Sequence, residues 1–259
     1  VSRPIEQLAA NARRIDSGTR AEIPRGVGPA RILSAEPYGP EAARGWRAAI
    51  DPAREPLYLR EGDSLFRMAA APEIDGLYVQ FRSNFDQDGL RIAPFVQAVE
   101  DRLKAEGPRN LVIDERFNTG GDIDLTRALM RAIPKLVKGN IYVLTGPQTF
   151  SAGIVSVAAL RHDGGDRVII VGEPVGDRLR FWSEGEKACA PNAQFCLRAT
   201  TGLWDLIDGC KGEPACYGDQ FDATVGDLRP DIRAPLTARA WLDGRDPAME
   251  AVKADLKRR

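Results

Sequence analysis

A chain of 259 residues, 43% hydrophobic and 28% charged, has the profile of a globular protein and is long enough to bury roughly three-quarters of its unfolded surface. A formal net charge of -1, with no basic stretch interleaved by aromatics, gives no electrostatic footprint for nucleic acid. No apolar run approaches the ~18 residues that a membrane-spanning helix needs.

The chain begins at Val1 rather than Met, with no visible signal peptide, so a processed form with something upstream is expected. Residues 1–71 are rich in Pro, Arg and Ala. They read as an N-terminal extension or the remnant of an upstream domain, with a helix over Ile5 to Ile15 and short strand-like pieces such as PLYLREGDSLFRM. From residue 72 to 259 a single core domain is expected. GLYVQFRS, from Gly76, reads as a strand. RIAPFVQAVEDRLKAEG places Ile92, Phe95, Val96, Val99 and Leu103 at helical spacing and closes on Gly107. NLVIDE is a short apolar strand that runs into RFNTGGD, and Leu125, Leu129, Ile133 and Leu136 mark a second helix. NIYVLTG, SAGIVSVAALR and RVIIVGE continue the alternation as strand, helix and strand. Apolar strands alternating with helices across short connections predict an α/β domain with a mainly parallel sheet. After Gly185 the chain is loop-rich; RPDIRAPLT then reads as an edge strand, and DPAMEAVKADLKRR as a last amphipathic helix carrying Met249, Val252 and Leu256.

The four cysteines, Cys189, Cys196, Cys210 and Cys216, share that loop-rich stretch. Their spacings are not those of a zinc site, and the single histidine, His162, lies well upstream, so no metal is expected. Pairing of sequence neighbours, Cys189 with Cys196 and Cys210 with Cys216, fits an oxidising compartment, with free thiols as the alternative. A periplasmic or other extracytoplasmic location follows from the paired reading.

Two strand-to-helix junctions carry the candidate chemistry. In NTGGD, Asn118 to Asp122, paired glycines allow close backbone approach and leave amide N–H groups pointing outward. Ser151 stands one junction later, at a helix N-terminus whose dipole favours a developing anion. Carboxyl-end loops of an open α/β sheet gather into one crevice, and a hydroxyl beside free backbone donors is the minimum equipment for acyl transfer. Each feature has a plainer reading, a tight turn for Gly120–Gly121 and an N-cap for Ser151. A phosphate loop is disfavoured by Asp114, Glu115, Asp122 and Asp124, which surround the glycines with acidic residues.

In order and spacing, LVIDERFNTGGD, IYVLTGPQTFSAG, DRVIIVGEPVGD and RPDIRAPLT…DGRDPAMEAV resemble the tail-specific, or carboxyl-terminal processing, serine proteases, with tricorn-like and interphotoreceptor retinoid-binding-protein-like relatives. The resemblance covers about Gly76 to Val252. It implies the β-α spiral shared by Clp protease and the crotonases, and a serine peptidase-like domain over residues 72–259. It implies Ser151 as nucleophile, at the serine of the family's Thr-x-Ser-Ala pattern, and an oxyanion hole of the Gly120, Gly121 and Ala152 amides. The implied partner is a polypeptide substrate, with no cofactor; a homo-oligomer stays open.

The departures concern the base. In the processing proteases a lysine follows the serine by about two dozen residues, after a Gly-Glu-x-x-x-Gly segment; here GEPVGDRLRFW puts Asp177 and Arg178 there. Arg178 stays protonated and cannot act as a base. The glutamate often found three residues after the serine is Ile154, and Lys187 reads as a solvated loop residue. Tricorn-type relatives use a histidine far upstream, and none precedes Ser151 in this chain. His162 lies eleven residues beyond Ser151, about 16 Å along the helix at its far end. Asp177 and Glu173 are better placed by family position. The expectation is therefore that no basic side chain reaches Ser151 here and that a histidine could come from upstream of Val1. Trp182 in FWSEG reads as an aromatic wall or pocket residue, and Trp204 as packing for the cysteine-rich loop. Two rivals to a peptidase remain, a non-catalytic peptide- or ligand-binding module of the same fold and a crotonase-like acyl-CoA enzyme. The acid-rich DERFNTGGDID counts against the latter.

Overall fold

The computed structural model describes residues 50–61, 64–86, 91–190, 192, 195–221 and 223–259. The helix expected over Ile5 to Ile15 lies outside them. Strands β1 (Phe66–Ala71), β2 (Gly76–Phe81), β3 (Asn110–Asp114), β4 (Ile141–Thr145), β5 (Val168–Gly172) and β10 (Ile232–Arg233) form one sheet in the order β1-β2-β3-β4-β5-β10. β1 runs antiparallel to β2, and every other pairing is parallel. This is the mainly parallel α/β sheet that the alternation predicts. β1 lies on the N-terminal side of the boundary expected at residue 71, yet it pairs with β2 along its whole length.

Helices α1 (Ile92–Glu106), α2 (Arg127–Leu136) and α3 (Ala152–Gly164) connect the parallel strands. α1 stops at Gly107, whose φ of +52° and N–H bond to the Leu103 carbonyl form a left-handed cap. Alternate residues along each strand enter different cores. Leu77, Val79, Leu111, Ile113, Ile141, Val143, Val168 and Ile170 pack with the buried faces of α1, α2 and α3. Tyr78, Val112, Tyr142, Leu144, Ile169 and Val171 pack on the opposite face against Ala248, Met249 and Val252. Those three residues belong to the last helix, α5 (Pro247–Leu256), which follows the short α4 (Ala238–Leu242). Burial on both faces explains why the strands read as unbroken apolar runs rather than alternating ones.

The stretch after β5 is less irregular than the sequence suggests. β6 (Arg180–Ser183) pairs antiparallel with β9 (Gly202–Asp205), and β7 (Lys187–Cys189) with β8 (Cys196–Arg198). Cys189–Cys196 and Cys210–Cys216 are disulfides with Cα separations of 4.0 and 5.4 Å. β7 and β8 are exposed throughout, so they have no buried face to imprint a period on the sequence. Trp204 stacks on Phe221 at 4.6 Å and on Phe181 at 6.0 Å between ring centroids, and it joins this lobe to the main core.

Candidate active site

Strands β3 and β4 are neighbours in parallel register, Asp114 opposite Leu144, and the Glu115 N–H extends the ladder to the Leu144 carbonyl at 2.9 Å. The two junctions therefore leave the sheet side by side at its carboxyl edge. Ser151 stands at the second, with φ +50° and ψ −122°, a backbone region that side chains other than glycine rarely occupy. Its side chain makes no capping bond to α3, so the N-cap reading fails here. The Ala152 N–H, at the first position of α3, has no acceptor among the described residues.

The glycine loop lies against this turn. A Cβ built on Gly120 (φ +98°) would sit 2.7 Å from the Ser151 Cβ and 3.2 Å from the Ala152 nitrogen, so only glycine fits. The Phe150 N–H donates to the Asn118 carbonyl at 2.9 Å, and a Cβ on Gly153 would meet that same oxygen at 2.9 Å. The far side of the loop rests on the chain leaving β2. The Asn84 N–H donates to the Gly120 carbonyl at 2.8 Å, the Asp122 N–H to the Asn84 carbonyl at 3.1 Å, and Ser83 Oγ to the Gly120 carbonyl at 3.1 Å. Asn118 organises the centre: its Oδ1 accepts the Gly120 N–H at 2.9 Å, and its Nδ2 donates to Asn84 Oδ1 at 2.8 Å and to Glu115 Oε2.

This geometry corrects one expectation. The Gly120 N–H is committed to Asn118 and is not a free donor, whereas the Gly121 N–H has no acceptor among the described residues. The exposed Phe85 and Phe150 border the loop; Phe85 Cδ2 would lie 3.0 Å from a Cβ on Gly121, and the Phe150 carbonyl 3.1 Å from one on Gly120. Ser83 and Asn84 went unnoticed in the sequence because their polar groups face inward at a strand end, which leaves no periodic signal.

The acidic residues around the loop also behave differently from their sequence appearance. Asp122 and Asp124 are exposed, but Asp114 and Glu115 are fully buried. Burial opposes the Asp114 charge, yet the Arg116 guanidinium and bonds from Arg116 and Tyr78 hold this carboxyl below its ordinary range. Arg116 reaches Asp114 at 2.6 Å and Asp246 at 2.8 Å. Asp246 in turn caps α5, accepting the Ala248 and Met249 N–H groups. For Glu115, burial drives the carboxyl up to about 8 against the opposing Asn118 bond, and the Asp114 charge adds to the rise. Of the two buried acids, Asp114 is thus ionised and paired with Arg116, and Glu115 is the one that burial keeps protonated below about pH 8.

Ser151, Gly120, Gly121 and Ala152 come together; Asp177 is not brought into that group by any contact among the described residues. It is exposed, with Oδ1 accepting its neighbour's N–H, from Arg178, at 2.7 Å. Its loop does rest on the serine turn, through the Gly176 N–H and the Thr149 carbonyl at 2.8 Å. Glu173 Oε2 accepts the Leu236 N–H at 3.2 Å. His162 lies in the last turn of α3, bonded to Asp163 at 2.9 Å, and Lys187 is exposed on the β7–β8 hairpin. Ile154 is buried in the core, Trp182 is exposed on β6, and Trp204 is buried with its Nε1 donating to Ser183 Oγ at 2.6 Å. Among the described residues no group of three or more His, Cys, Asp or Glu side chains could hold a metal, and no helix is long and apolar enough to cross a membrane.

No family model and no curated protein matches the chain. Among solved structures it is similar to a proposed peptidase from Parabacteroides merdae, with 16% identity and a TM-score of 0.45 over 74% of this chain and 64% of the other. It is also similar to a proposed S41 protease from Bacteroides fragilis, with 13% identity and a TM-score of 0.46 over 75% and 57% of the two chains. A third is the photosystem II D1 C-terminal processing protease, at 14% identity and a TM-score of 0.43 over 74% and 52%. This chain thus spans roughly half to two-thirds of those proteins' lengths. All three are described as peptidases, one of the S41 kind and one a processing protease.

Proposed function

We propose that this chain is a serine-type peptidase domain, in which Ser151 attacks a peptide carbonyl and the Gly121 and Ala152 N–H groups receive the oxyanion. The observation that carries the reading is the Ser151 backbone. Its left-handed φ costs on the order of 1–3 kcal/mol, and no capping bond offsets that cost. That turn carries the Ser151 Cβ against the Gly120 position of the glycine loop. Attack would form the Oγ–carbon acyl bond and expel the leaving amine, which takes a proton; water would then release the acyl group and return the hydroxyl. Asp177, on the loop that rests against the serine turn, is the titratable residue that family position offers for this proton traffic. A polypeptide in extended form is the substrate class that the motif resemblance implies, and the disulfides favour an extracytoplasmic setting.

A second reading, a peptide-binding module without turnover, is favoured by the base positions. Arg178 cannot accept a proton, and the Asp177 carboxylate is turned onto the Arg178 N–H. One experiment separates the two. Wild type and Ser151→Ala are exposed to a fluorophosphonate probe and the intact masses compared. A single adduct on wild type and none on the variant supports the hydrolase. Inertness of wild type, together with saturable binding of an unfolded polypeptide, supports the module.

A further inference from the structure

The Glu115 carboxyl has no evident reason to be where it is. It is fully buried on the sheet face that otherwise holds Leu111 and Ile113, and its Oε1 has no hydrogen-bond partner among the described residues. An apolar side chain would fill that place without the cost of enclosing a half-satisfied polar group. Its one side-chain bond is the one from Asn118, and Asn118 is the residue that takes up the Gly120 N–H. A short relay therefore runs from Glu115 Oε2 to Asn118 Nδ2, and from Asn118 Oδ1 to the Gly120 amide, whose carbonyl carbon bears the Gly121 nitrogen.

We propose that Glu115 is a positioning residue for the Ser151 site: its side chain fixes Asn118, and through Asn118 the course of the Gly120–Gly121 backbone. The inference rests on the reading of Ser151 as a nucleophile. With Asn118 held at both ends, the Gly120 N–H turns inward and the next N–H, that of Gly121, is left for a ligand. Ionisation of Glu115 would place a bare charge in a closed space one residue from Asp114. The Asn118 Nδ2–H is the one donor it has, so relief needs water or a shift of the Asn118 loop around the charge.

The surroundings make Glu115 the group to watch. Asp114 bears on it from the same strand, and Arg116 beyond it is held between Asp114 and Asp246. Thr149 Oγ1, from the turn before Ser151, donates to the Glu115 carbonyl; Asn118, the one side-chain partner of Glu115, is met in turn by Asn84 from the chain after β2 and by Gly153 of α3, and none of these is charged. Burial and the Asp114 charge place the Glu115 titration at about 8, within the range where the fold is easily studied.

The test compares wild type with Glu115→Gln, which keeps the shape and cannot ionise. In proton–nitrogen correlation spectra from pH 6 to 10, the Gly120 and Gly121 amide signals should titrate in wild type with a midpoint near 8 and stay flat in the variant. Fluorophosphonate labelling rates, taken as the ratio of variant to wild type at each pH, should be near one at low pH. The ratio should rise about tenfold one pH unit above the midpoint, because nine-tenths of wild type is then ionised. Identical titration of the glycine signals in both proteins, or a flat labelling ratio, overturns the proposal. Absence of labelling in both proteins at every pH sinks the nucleophile reading instead, and the glycine signals still decide whether Glu115 steers the loop. Glu115→Ala adds a further arm: it should label about tenfold more slowly than wild type at neutral pH, with the glutamine variant restoring the rate.

Discussion

Two consecutive residues at the end of β3 set up opposite electrostatic regions on the two faces of one sheet. On the α5 face, Asp114 is enclosed with Arg116, Asp246, Tyr78 and Gln80, and every oxygen has a donor. On the Ser151 face, Glu115 is equally enclosed with a single amide for company. Burial is the same, and the charge state is not: the first carboxyl is held ionised, and the second is kept neutral up to about pH 8. The contrast shows that burial alone does not decide what a carboxyl does. The presence of a guanidinium decides it, and the guanidinium stands on one face only.

The sharpest way to break this contrast is to remove the guanidinium. Arg116→Met should strand Asp114 and Asp246 together without a counter-charge, and should cost about 3–5 kcal/mol in urea unfolding. An effect within 1 kcal/mol would mean that water reaches the α5 face and that the two regions are alike.

Next in size is the pH dependence on the other face. Since the folded carboxyl of Glu115 titrates above its unfolded value, the native state holds a proton that the unfolded chain has lost. Stability from this group is then full below about pH 4.5 and falls as pH rises towards about 8, by about 1.4 kcal/mol per unit. Glu115→Gln removes that slope. The gap between variant and wild type should grow on the order of 3 kcal/mol between pH 4.5 and 7 and level off above 8. Asp114 has the opposite sign: its contribution is present above pH 3.8 and disappears as acid protonates it below that value.

A smaller effect tests the glycine side of the contrast. Gly120→Ala must hold a φ of +98° and push against the Ser151 Cβ, so a loss of about 2 kcal/mol is expected by urea unfolding, with loss of fluorophosphonate labelling. The smallest is Ser151→Gly, which relieves the backbone and should raise stability by about 1 kcal/mol after the flexibility of glycine is subtracted. A loss on that substitution would show that the serine side chain is held by contacts stronger than its backbone strain.

How much of this was legible in the sequence depended on the range of the interactions. The strands from Gly76 to Gly172 and the helices between them were readable, because burial on two faces writes continuous apolar runs and burial on one helical face writes a 3.6-residue period. The pairing of each cysteine with its sequence neighbour was readable from spacing, with free thiols as the alternative. The gathering of Ser151 with the glycine loop was readable through strand order, since parallel neighbours end at the same edge. The orientation of single amides was not. Whether the Gly120 N–H is free depends on the Asn118 side chain, and whether Asp114 is charged depends on how the Arg116 guanidinium is turned in the buried space. The β6–β9 pairing was hidden as well, because the stretch between those two strands contains a second hairpin with no buried face.

The Arg116–Asp246 bridge has a consequence for the order of events during synthesis. Asp246 leaves the ribosome 130 residues after Arg116, and at ordinary elongation rates of about 5–20 residues per second that is on the order of ten seconds. Through that interval Arg116 has Asp114 alone, and α5 does not yet cover its face of the sheet. The serine turn is thus translated well before the loop beside it receives its last anchor. A nascent chain carries Ser151 without a finished setting, and the setting closes only when the final helix docks.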